Sequence, residues 1–288
     1  MKITDILKNE KLTISFEVFP PKSDASFESV MKATEEIASL SPSFMSVTYG
    51  AGGGTSKYTV DIADNIQRNY HTVALAHLTC VSSSRETVAQ QIENLKAASI
   101  TNIMALRGDI PTDMQDYPRD FKYACELIEQ LRASDADFCI GAACYPEVHP
   151  ESENRASDLV ALRHKVDVGA DFLTTQMFFD NDLFYQFRDM AASVGIGCPI
   201  IPGIMPITSA AQIDRAIHLS GSYMPRRFLS LVEKFGSNPV AMKQAGIIYA
   251  TDQIIDLFAN GVKNVHVYSM NKPEVARAIL NNLSGILG

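Results

Sequence analysis

Short apolar runs rich in β-branched residues alternate with longer segments of helical periodicity along the whole chain. Eight such runs are predicted to be strands: TISFEVF (13–19), FMSVTY (44–49), VALAHL (73–78), NIMALR (102–107), FCIGAA (138–143), DFLTTQ (171–176), PIIPGI (199–204) and VHVYS (265–269). Nearly continuous apolar strands separated by helices are typical of a parallel sheet covered by helices. Eight strand and helix units predict an α/β fold, the (β/α)8 TIM barrel.

The segments between the strands carry helix signals. SFESVMKATEEIASL (26–40) and RETVAQQIENLKAAS (85–99) each gather apolar residues on one face, the second after a candidate N-cap, Ser84. SDLVALRHKVDVGADF (157–172) predicts a helix that stops at Gly169. The seventh and eighth strands are unusually far apart, and three extra helices are predicted between them, in AAQIDRAIHLSG (210–221), RRFLSLVEKF (226–235) and AMKQAGIIYATDQIIDLFANG (241–261).

No linker or composition shift divides the chain, which predicts one domain over residues 1–288. A doubly wound sheet is the alternative architecture. No GxGxxG sequence opens a helix after the first strand, so a Rossmann dinucleotide site is unsupported.

Composition narrows the class of protein. The formal net charge is −8 and the pI is about 5.3, so the overall field repels nucleic acid and anionic membranes. Five cysteines without a CxxC pair favour buried reduced thiols over disulfides or a metal cluster. The first residues lack an apolar signal core, and no apolar run approaches the roughly 20 residues of a membrane span. We therefore expect a cytoplasmic protein whose partners include neither nucleic acid nor membrane.

Two kinds of chemistry find little support. Six histidines are present, but no HxxxH or His-Cys grouping brings three metal ligands together, so no metal site is expected. No GxSxG elbow is present, and the strand-end thiols of Cys80 and Cys144 have no evident base nearby, which disfavours nucleophilic hydrolysis.

Polar residues collect at the predicted C-terminal strand ends, where the loops of a barrel build its active site. They are Glu17, Thr48, Tyr49, His77, Arg107, Gly108, Asp109, Tyr145, Gln176, Tyr268, Asn271 and Lys272. Glu17 is flanked by Phe16, Val18 and Phe19, so its carboxyl is expected among apolar groups that favour the protonated form and suit a general acid.

Each candidate also has a structural explanation. Taken alone, Glu17 is more simply a strand-end glutamate paired with a structural arginine, and His77 a hydrogen-bonded core histidine. Asp109 can cap the next segment, with Gly108 as a turn residue. The glycine-rich loop YGAGGGT (49–55) lets a ligand approach the backbone, but it lacks the Lys-Ser/Thr of a P-loop. YPEVHPE (145–151) is a loop fixed by two prolines that carries Tyr145 and His149 at a strand end.

Taken together, the strand ends resemble one known family. The motifs that carry the resemblance are SFEVFPPK, SVTYGAGGGT, AHLTC, RGDIP, YPEVHPE, DFLTTQMFFD, IIPGIMPI and VYSMN. In this order they resemble the methylenetetrahydrofolate reductases, flavin-dependent barrel enzymes of one-carbon metabolism. The match spans essentially the whole chain and resembles the short bacterial form, which has no appended regulatory domain.

The resemblance implies a ping-pong oxidoreductase. A reduced nicotinamide, NADH or else NADPH, passes hydride to FAD, and the reduced flavin passes it to methylenetetrahydrofolate to give methyltetrahydrofolate. By the same resemblance Glu17 is the general acid that opens the imidazolidine ring by supplying a proton toward N10, which leaves an iminium that accepts hydride. Asp109 faces the flavin and the folate, where its charge lowers the flavin potential and favours the cationic iminium.

The resemblance also assigns contact residues. The implied FAD contacts are Thr48, Tyr49, Ala51, His77, Arg107, Gly108, Asp109, Tyr145, His149, Asp158, His164 and Lys165. Lys165 supplies positive charge for the pyrophosphate and shares one helix face with Asp158. The implied folate contacts are Glu17, Asp109, Gln176, Gln212 and Lys272, with Gln176 also facing the nicotinamide.

Three positions depart from the family pattern. Lys272 stands where arginine is usual, so a bidentate grip on a folate carboxylate becomes a point charge. Ala216 stands where some members have phenylalanine, and His164 where some have arginine. These changes bear on ligand affinity more than on chemistry.

Other functions remain open at this point. One is a flavin-free barrel methyltransferase that uses methyltetrahydrofolate, and another is a non-catalytic flavin- or folate-binding subunit. The electron donor is NADH, NADPH or a protein partner, in that order of preference. A homo-oligomer is expected from the resemblance.

Overall fold

A computed structural model describes residues 1–9, 11–21, 24–49, 56–110, 118 and 120–288. Nine parallel strands form one sheet in the order β7-β6-β5-β4-β3-β2-β1-β9-β8. The strands are β1 (Thr13–Val18), β2 (Met45–Val47), β3 (Ala74–Thr79), β4 (Asn102–Leu106), β5 (Cys139–Cys144), β6 (Phe172–Thr175), β7 (Ile200–Ile201), β8 (Gly203–Ile204) and β9 (Asn264–Val267).

The sheet closes into a barrel at a strand that is divided by a proline. The predicted strand 199–204 is split into β7 and β8 at Pro202, which has no N–H for a sheet hydrogen bond. Its first half pairs with β6 and its second half with β9. The carbonyl of Pro202 still accepts the N–H of His266 at 3.0 Å. The two halves therefore form a single barrel strand, and the TIM-barrel prediction is confirmed, whereas a doubly wound sheet is excluded.

Helices follow the strands and cover the outside of the barrel. They are α1 (Ile3–Leu7), α2 (Phe27–Ala38), α3 (Ser56–Tyr70), α4 (Arg85–Ala97), α5 (Ala124–Ala133), α6 (Arg155–Asp167), α7 (Asn181–Ser193), α8 (Ala211–Ser220), α9 (Arg226–Phe235), α10 (Pro239–Ala259) and α11 (Pro273–Leu287). The largest apolar cluster lies between these helices and the strands, with fully buried residues such as Phe16, Val47, Ile103 and Leu173. Burial of this layer is the main force that closes the barrel.

Predicted helix ends agree with the structure where a cap specifies them. The Ser84 side chain accepts the N–H of Thr87 at the start of α4, as predicted. Gly169 follows the end of α6 with a φ of +124°, a conformation that L side chains rarely adopt. The tenth helix begins two residues earlier than predicted, because Asn238 caps it and Pro239 occupies its first position.

The sequence reasoning missed α1, which lies at the N-terminal end of the barrel. Its apolar residues Ile3, Ile6 and Leu7 pack against inward-facing residues of the strands, including Met104 and Phe172. The side chain of Asn102 accepts the N–H of Ile3 at 2.8 Å. The short helix thus covers the end of the barrel that lies opposite the predicted active site.

Candidate active site

Glu17 is buried near the C-terminal end of β1, and its side chain is only 8% exposed. Its Oε2 accepts the hydroxyl of Ser46 at 3.3 Å and lies 3.6 Å from His77 Nε2 and 4.0 Å from His266 Nε2. The expected apolar surroundings are therefore wrong, and so is the alternative of a structural arginine, because the polar partners of this carboxyl among the described residues are a hydroxyl and two imidazoles. The reason is that Ser46 and His266 occupy inward positions of β2 and β9, which flank β1, and His77 occupies one of β3, the next strand beyond β2.

His77 is a neutral neighbour of this carboxyl. Burial lowers its pKa to about 4, which the nearby negative charge of Glu17 offsets only in part. At pH 7 the imidazole carries no charge, so its contact with Glu17 is not an ion pair. A neutral ring at this position can line a cofactor pocket as a flat polar surface.

The turn after β4 holds Arg107, Gly108 and Asp109. Gly108 adopts a φ of +87°, and a Cβ at this residue would lie 3.1 Å from the Cβ of Thr79. The carbonyl of Arg107 accepts two N–H groups, those of Cys80 and Val81, at 3.1 and 2.8 Å. These bonds tie the turn to the loop after β3 and leave Asp109 exposed at the rim.

The guanidinium of Arg107 extends to the loop after β5. It forms two hydrogen bonds with the carboxylate of Glu151, at 2.5 and 2.6 Å. This pairing raises the pKa of Arg107 and lowers that of Glu151. The side chain of Arg107, which was expected to contact a cofactor, is thus already paired with a carboxylate of the protein.

The loop YPEVHPE folds over the same rim. The rings of Tyr145 and His149 meet edge to face with centroids 4.6 Å apart. Burial, followed by the negative charge of Asp109, raises the pKa of Tyr145 to about 12, so its hydroxyl stays protonated. Glu147 accepts the N–H of Tyr223 at 2.7 Å and joins this loop to the segment after α8.

Helix α6 carries three of the predicted cofactor residues. Asp158, in its first turn, accepts the N–H of His149 at 3.3 Å and the hydroxyl of Ser152 at 3.1 Å. Lys165, in its last turn, donates to the carbonyl of Ala143 at 3.0 Å, and burial lowers its pKa. The third residue, His164, is exposed on the helix surface.

The remaining predicted folate residues, Gln176, Gln212 and Lys272, follow β6, β8 and β9. Gln212 Oε1 accepts the N–H groups of Thr208 and Ser209 at 2.8 and 3.0 Å and so ties α8 to the segment that precedes it. Lys272 donates to the Thr208 hydroxyl at 2.8 Å, and burial lowers its pKa. Gln176 Oε1 accepts the N–H of Met177 at 3.0 Å. Ala216 is buried in the apolar cluster beneath α8.

The residues after β2 are described only in part. The N–H of Thr48 donates to the carbonyl of Val18 at 3.0 Å, and the Thr48 carbonyl accepts the hydroxyl of Thr59 at 2.9 Å. Tyr49 is partly buried against the main apolar cluster. Ala51 and most of the glycine-rich loop lie outside the described residues.

Sequence reasoning missed several polar residues of the site. Ser15, Ser46 and His266 are buried inside the barrel next to Glu17, and Glu151 is paired with Arg107. A signal for the buried set was present, because polar residues at alternating positions of apolar strands point into the barrel. Glu151 had no comparable signal, because its partner lies 44 positions away in the sequence.

Other features of the described residues concern metals, thiols and membranes. All five cysteines are free, and Cys80, Cys139 and Cys144 are buried. Within the described ranges, no three histidine, cysteine, aspartate or glutamate side chains are grouped to hold a metal ion. None of the described helices combines the length and the apolar character that a membrane crossing needs.

Comparisons with known proteins identify the family. The family model for methylenetetrahydrofolate reductase matches residues 2–284. A 5,10-methylenetetrahydrofolate reductase of Pectobacterium carotovorum subsp. carotovorum is 34% identical over 273 residues, which cover 95% of this chain and 90% of the relative. Methylenetetrahydrofolate reductase (NADH) 1 of Arabidopsis thaliana is also 34% identical, but this chain spans only 50% of its length.

A solved structure shares the fold. It is an uncharacterized protein from Clostridium thermocellum that binds two copies of 5-methyl-5,6,7,8-tetrahydrofolic acid, with a TM-score of 0.70, 13% identity and coverage of 100% of this chain and 99% of the other. At that identity the likeness concerns the fold alone. The family match and the bacterial relative show that the chain belongs to the methylenetetrahydrofolate reductase family of oxidoreductase enzymes.

Proposed function

We propose that this chain reduces 5,10-methylenetetrahydrofolate to 5-methyltetrahydrofolate, with FAD as bound cofactor and NADH or NADPH as electron donor, in a ping-pong reaction. The observation that carries the proposal is the buried carboxyl of Glu17 at the rim of a barrel of this family. Its neighbours include the hydroxyl of Ser46 and the neutral imidazole of His77, and a carboxyl buried in this way next to a bound substrate suits a proton donor.

Glu17 acts as the general acid. It donates its proton from a carboxyl oxygen to N10 of the folate as the bond between N10 and the methylene carbon breaks. The methylene group is then part of a cationic iminium, which becomes a methyl group on accepting hydride. Burial of Glu17 keeps bulk water from competing for the proton.

The residues around α6 suit an anionic cofactor. Lys165 lies next to the rim with a carbonyl partner and, among the described residues, forms no ion pair, so a diphosphate would supply the counter-charge that it lacks. Tyr145, His77 and His149 offer rings, and Arg107 and Gly108 offer backbone and side-chain donors. When bound, FAD supplies the hydride carrier between nicotinamide and folate.

Asp109 places a negative charge at the same rim. We assign it two effects, since a carboxylate there disfavours added negative charge on the cofactor and favours the positive charge of the iminium. Its influence on the pKa of Tyr145 supports this placement close to the other cofactor candidates.

Gln176, Gln212 and Lys272 are proposed to hold the folate. The Lys272 ammonium is half-buried and has one hydroxyl partner, which leaves further donor capacity for a carboxylate. As a point charge it gives a weaker directional grip than the arginine usual in the family. The Oε1 of Gln212 already accepts backbone N–H groups of Thr208 and Ser209, so we propose that its NH₂ group is the part that faces substrate.

NADH is the preferred donor, since the name of the plant relative specifies NADH. No Rossmann fingerprint is present to distinguish it from NADPH. We also propose that residues 1–288 act as one FAD-binding catalytic domain in a cytoplasmic homo-oligomer, which rests on the family resemblance.

The function is tested by product analysis. The purified protein, reconstituted with FAD, is incubated with NADH or NADPH and methylenetetrahydrofolate under anaerobic conditions, and the folates are separated by chromatography with mass detection. Methyltetrahydrofolate is expected only when flavin, nicotinamide and folate are all present. Product formed without flavin and nicotinamide, or none with the complete mixture, would contradict the proposal.

A further inference from the structure

We propose that Ser15, Ser46 and His266 form a reversible hydrogen-bond chain that satisfies Glu17 equally in its ionised and its protonated state. The inference deepens the proposed function, on which its purpose rests, because a general acid must occupy both states in each turnover. Ser15, Ser46 and His266 are positioning residues, since they act only through Glu17.

The chain is continuous and buried. Ser46 Oγ lies 3.3 Å from Glu17 Oε2 and 3.0 Å from His266 Nε2. His266 Nδ1 lies 2.7 Å from Ser15 Oγ, which is 3.3 Å from the carbonyl oxygen of Val265. Ser15, Ser46 and His266 are 1%, 0% and 3% exposed. Every link therefore needs a correctly oriented donor, because buried polar groups are hydrogen-bonded.

When Glu17 is ionised, all protons point toward it. The Ser46 hydroxyl donates to Glu17 Oε2, and His266 donates to Ser46 from a protonated Nε2. The unprotonated Nδ1 of His266 then accepts the hydroxyl of Ser15. Each donor has one acceptor, and the carboxylate receives a hydrogen bond.

When Glu17 is protonated, every bond of the chain reverses. Glu17 donates to Ser46 Oγ, and Ser46 donates to an unprotonated Nε2 of His266. The proton of His266 is now on Nδ1 and is donated to Ser15, whose hydroxyl turns to the carbonyl of Val265. The two arrangements differ by one proton, which is taken from water and resides on Glu17, while His266 stays neutral in both.

The reversal explains why two hydroxyls flank the imidazole. A hydroxyl donates in one direction and accepts in the other, and a neutral imidazole does the same by changing tautomer. A fixed donor such as lysine would favour only the ionised Glu17. A chain that could not reverse would leave a buried polar group unsatisfied in one of the two states, which is destabilising.

The other titratable groups that face this chain are neutral at pH 7. His77 on β3 has its pKa lowered to about 4 by burial. Tyr268 on β9 has its pKa raised by burial, and its hydroxyl donates to the carbonyl of Thr175. On β8 the register neighbour of His266 is Gly203, which has no side chain. None of these groups carries a charge that would fix the tautomer of His266. The tautomer can therefore change with the protonation state of Glu17.

Two aromatic rings hold the imidazole in place. Phe44 stacks on His266 with centroids 5.6 Å apart and an interplanar angle of 6°, and Tyr268 meets it edge-on at 5.5 Å and 89°. A ring fixed in this way cannot turn over to exchange its two nitrogens. A change of tautomer is therefore the way in which His266 reverses its hydrogen bonds.

The test is the ring-nitrogen NMR spectrum of histidine-labelled, oxidised protein without nicotinamide or folate. The His266 signals are identified by their absence in His266→Gln. Across the pH range in which the protein stays folded, the proton of His266 is expected to move from Nδ1 at low pH to Nε2 at high pH. In Glu17→Gln the tautomer is expected to be independent of pH, because the titrating partner is gone.

Ser46→Ala cuts the chain with the loss of one oxygen atom, and the His266 tautomer is expected to stop responding to pH. Ser43→Ala is the matched control, because its hydroxyl donates to the Ile14 carbonyl, which is not part of the hydrogen-bond chain, and there the wild-type response is expected. A single His266 tautomer throughout this pH range, an imidazolium at low pH, or an undiminished response in Glu17→Gln would overturn the proposal. Because no turnover is involved, such a result leaves the proposed reductase function to be judged separately.

Discussion

Arg107 and Glu151 form a two-point ion pair that joins the turn after β4 to the loop after β5, with Nη1–Oε2 and Nη2–Oε1 distances of 2.5 and 2.6 Å. The two elements carry Asp109, Tyr145 and His149, all predicted cofactor residues. The ion pair is therefore positioned to fix the turn and the loop relative to each other at the rim of the barrel. Arg107 is the more buried partner, with 19% of its side chain exposed against 55% for Glu151.

Removing the charge of Glu151 should loosen this rim. In Glu151→Gln the free energy of unfolding at pH 7 is expected to fall by up to about 1 kcal/mol, because the pair is partly exposed. The pairing lowers the pKa of Glu151, so its contribution is present above the unfolded-state pKa and is lost as pH falls through the lowered folded-state value. Urea unfolding at several pH values measures both effects. Glu153→Gln, which changes an exposed glutamate of the same loop, should unfold like the wild type, and an equal loss in both variants would refute the role of the pair.

Gly108 should be intolerant of a side chain. With φ at +87° and Thr79 and Val81 within 3.3 Å of a built Cβ, Gly108→Ala is expected to lower the free energy of unfolding by about 1–3 kcal/mol. Gly197→Ala is the control, because nothing lies within 4 Å of its Cβ position, and its effect should stay below about 0.5 kcal/mol. Equal denaturation midpoints for the two variants would contradict the described turn.

The buried neutral His77 predicts a pH-dependent stability. Its pKa is about 4 in the folded protein against 6.5 for the free side chain, so below pH 6.5 the unfolded state binds more protons and stability falls until about pH 4. The wild type should therefore lose roughly 3 kcal/mol more than His77→Gln over this range. Urea unfolding at both ends of the range measures the difference. His164→Gln, which removes an exposed histidine, should keep the wild-type pH dependence; the same dependence in His77→Gln would show that His77 titrates normally.

Asp109 is predicted to tune the cofactor. In Asp109→Asn the midpoint potential of bound FAD should rise by tens of millivolts, because a change of about 1.4 kcal/mol corresponds to about 30 mV for a two-electron couple. Reduction by the nicotinamide should become easier, and transfer to folate slower. Equilibration with a redox dye gives the potential, and Asp189→Asn on the outer helix α7 serves as the charge control. A potential equal to that of the wild type would remove the electrostatic role of Asp109.

The fold was largely predictable because barrel strands are nearly continuous apolar runs. All eight predicted strands are present, and Ser84 and Gly169 mark helix ends by local chemistry alone. The helix α1 was not predictable from periodicity, since five residues are too few to show it. The proline at position 202 is evident in the sequence. That the two halves of its strand pair with different neighbours is not, because this pairing depends on closure of the barrel.

The site was predictable at the level of which strand ends carry polar groups, and less so in its interactions. Glu17 and His77 were identified, but the sequence neighbours of Glu17 suggested an apolar setting, whereas the neighbours across the sheet are polar. The contact of His266 with Ser15 joins residues 251 positions apart. Such pairs follow from the register of the closed barrel, which local sequence does not contain.

The central claim is that this barrel passes hydride from nicotinamide to folate with Glu17 as the acid of the second step. Anaerobic stopped-flow spectroscopy of the reconstituted protein measures the two half-reactions separately, as flavin absorbance on adding NADH or NADPH and then methylenetetrahydrofolate. One nicotinamide should bleach the flavin of the wild type and of Glu17→Gln at similar rates, whereas only the wild type should be reoxidised by the folate. Flavin that neither nicotinamide bleaches, or a Glu17→Gln variant that loses both half-reactions equally, would contradict the account.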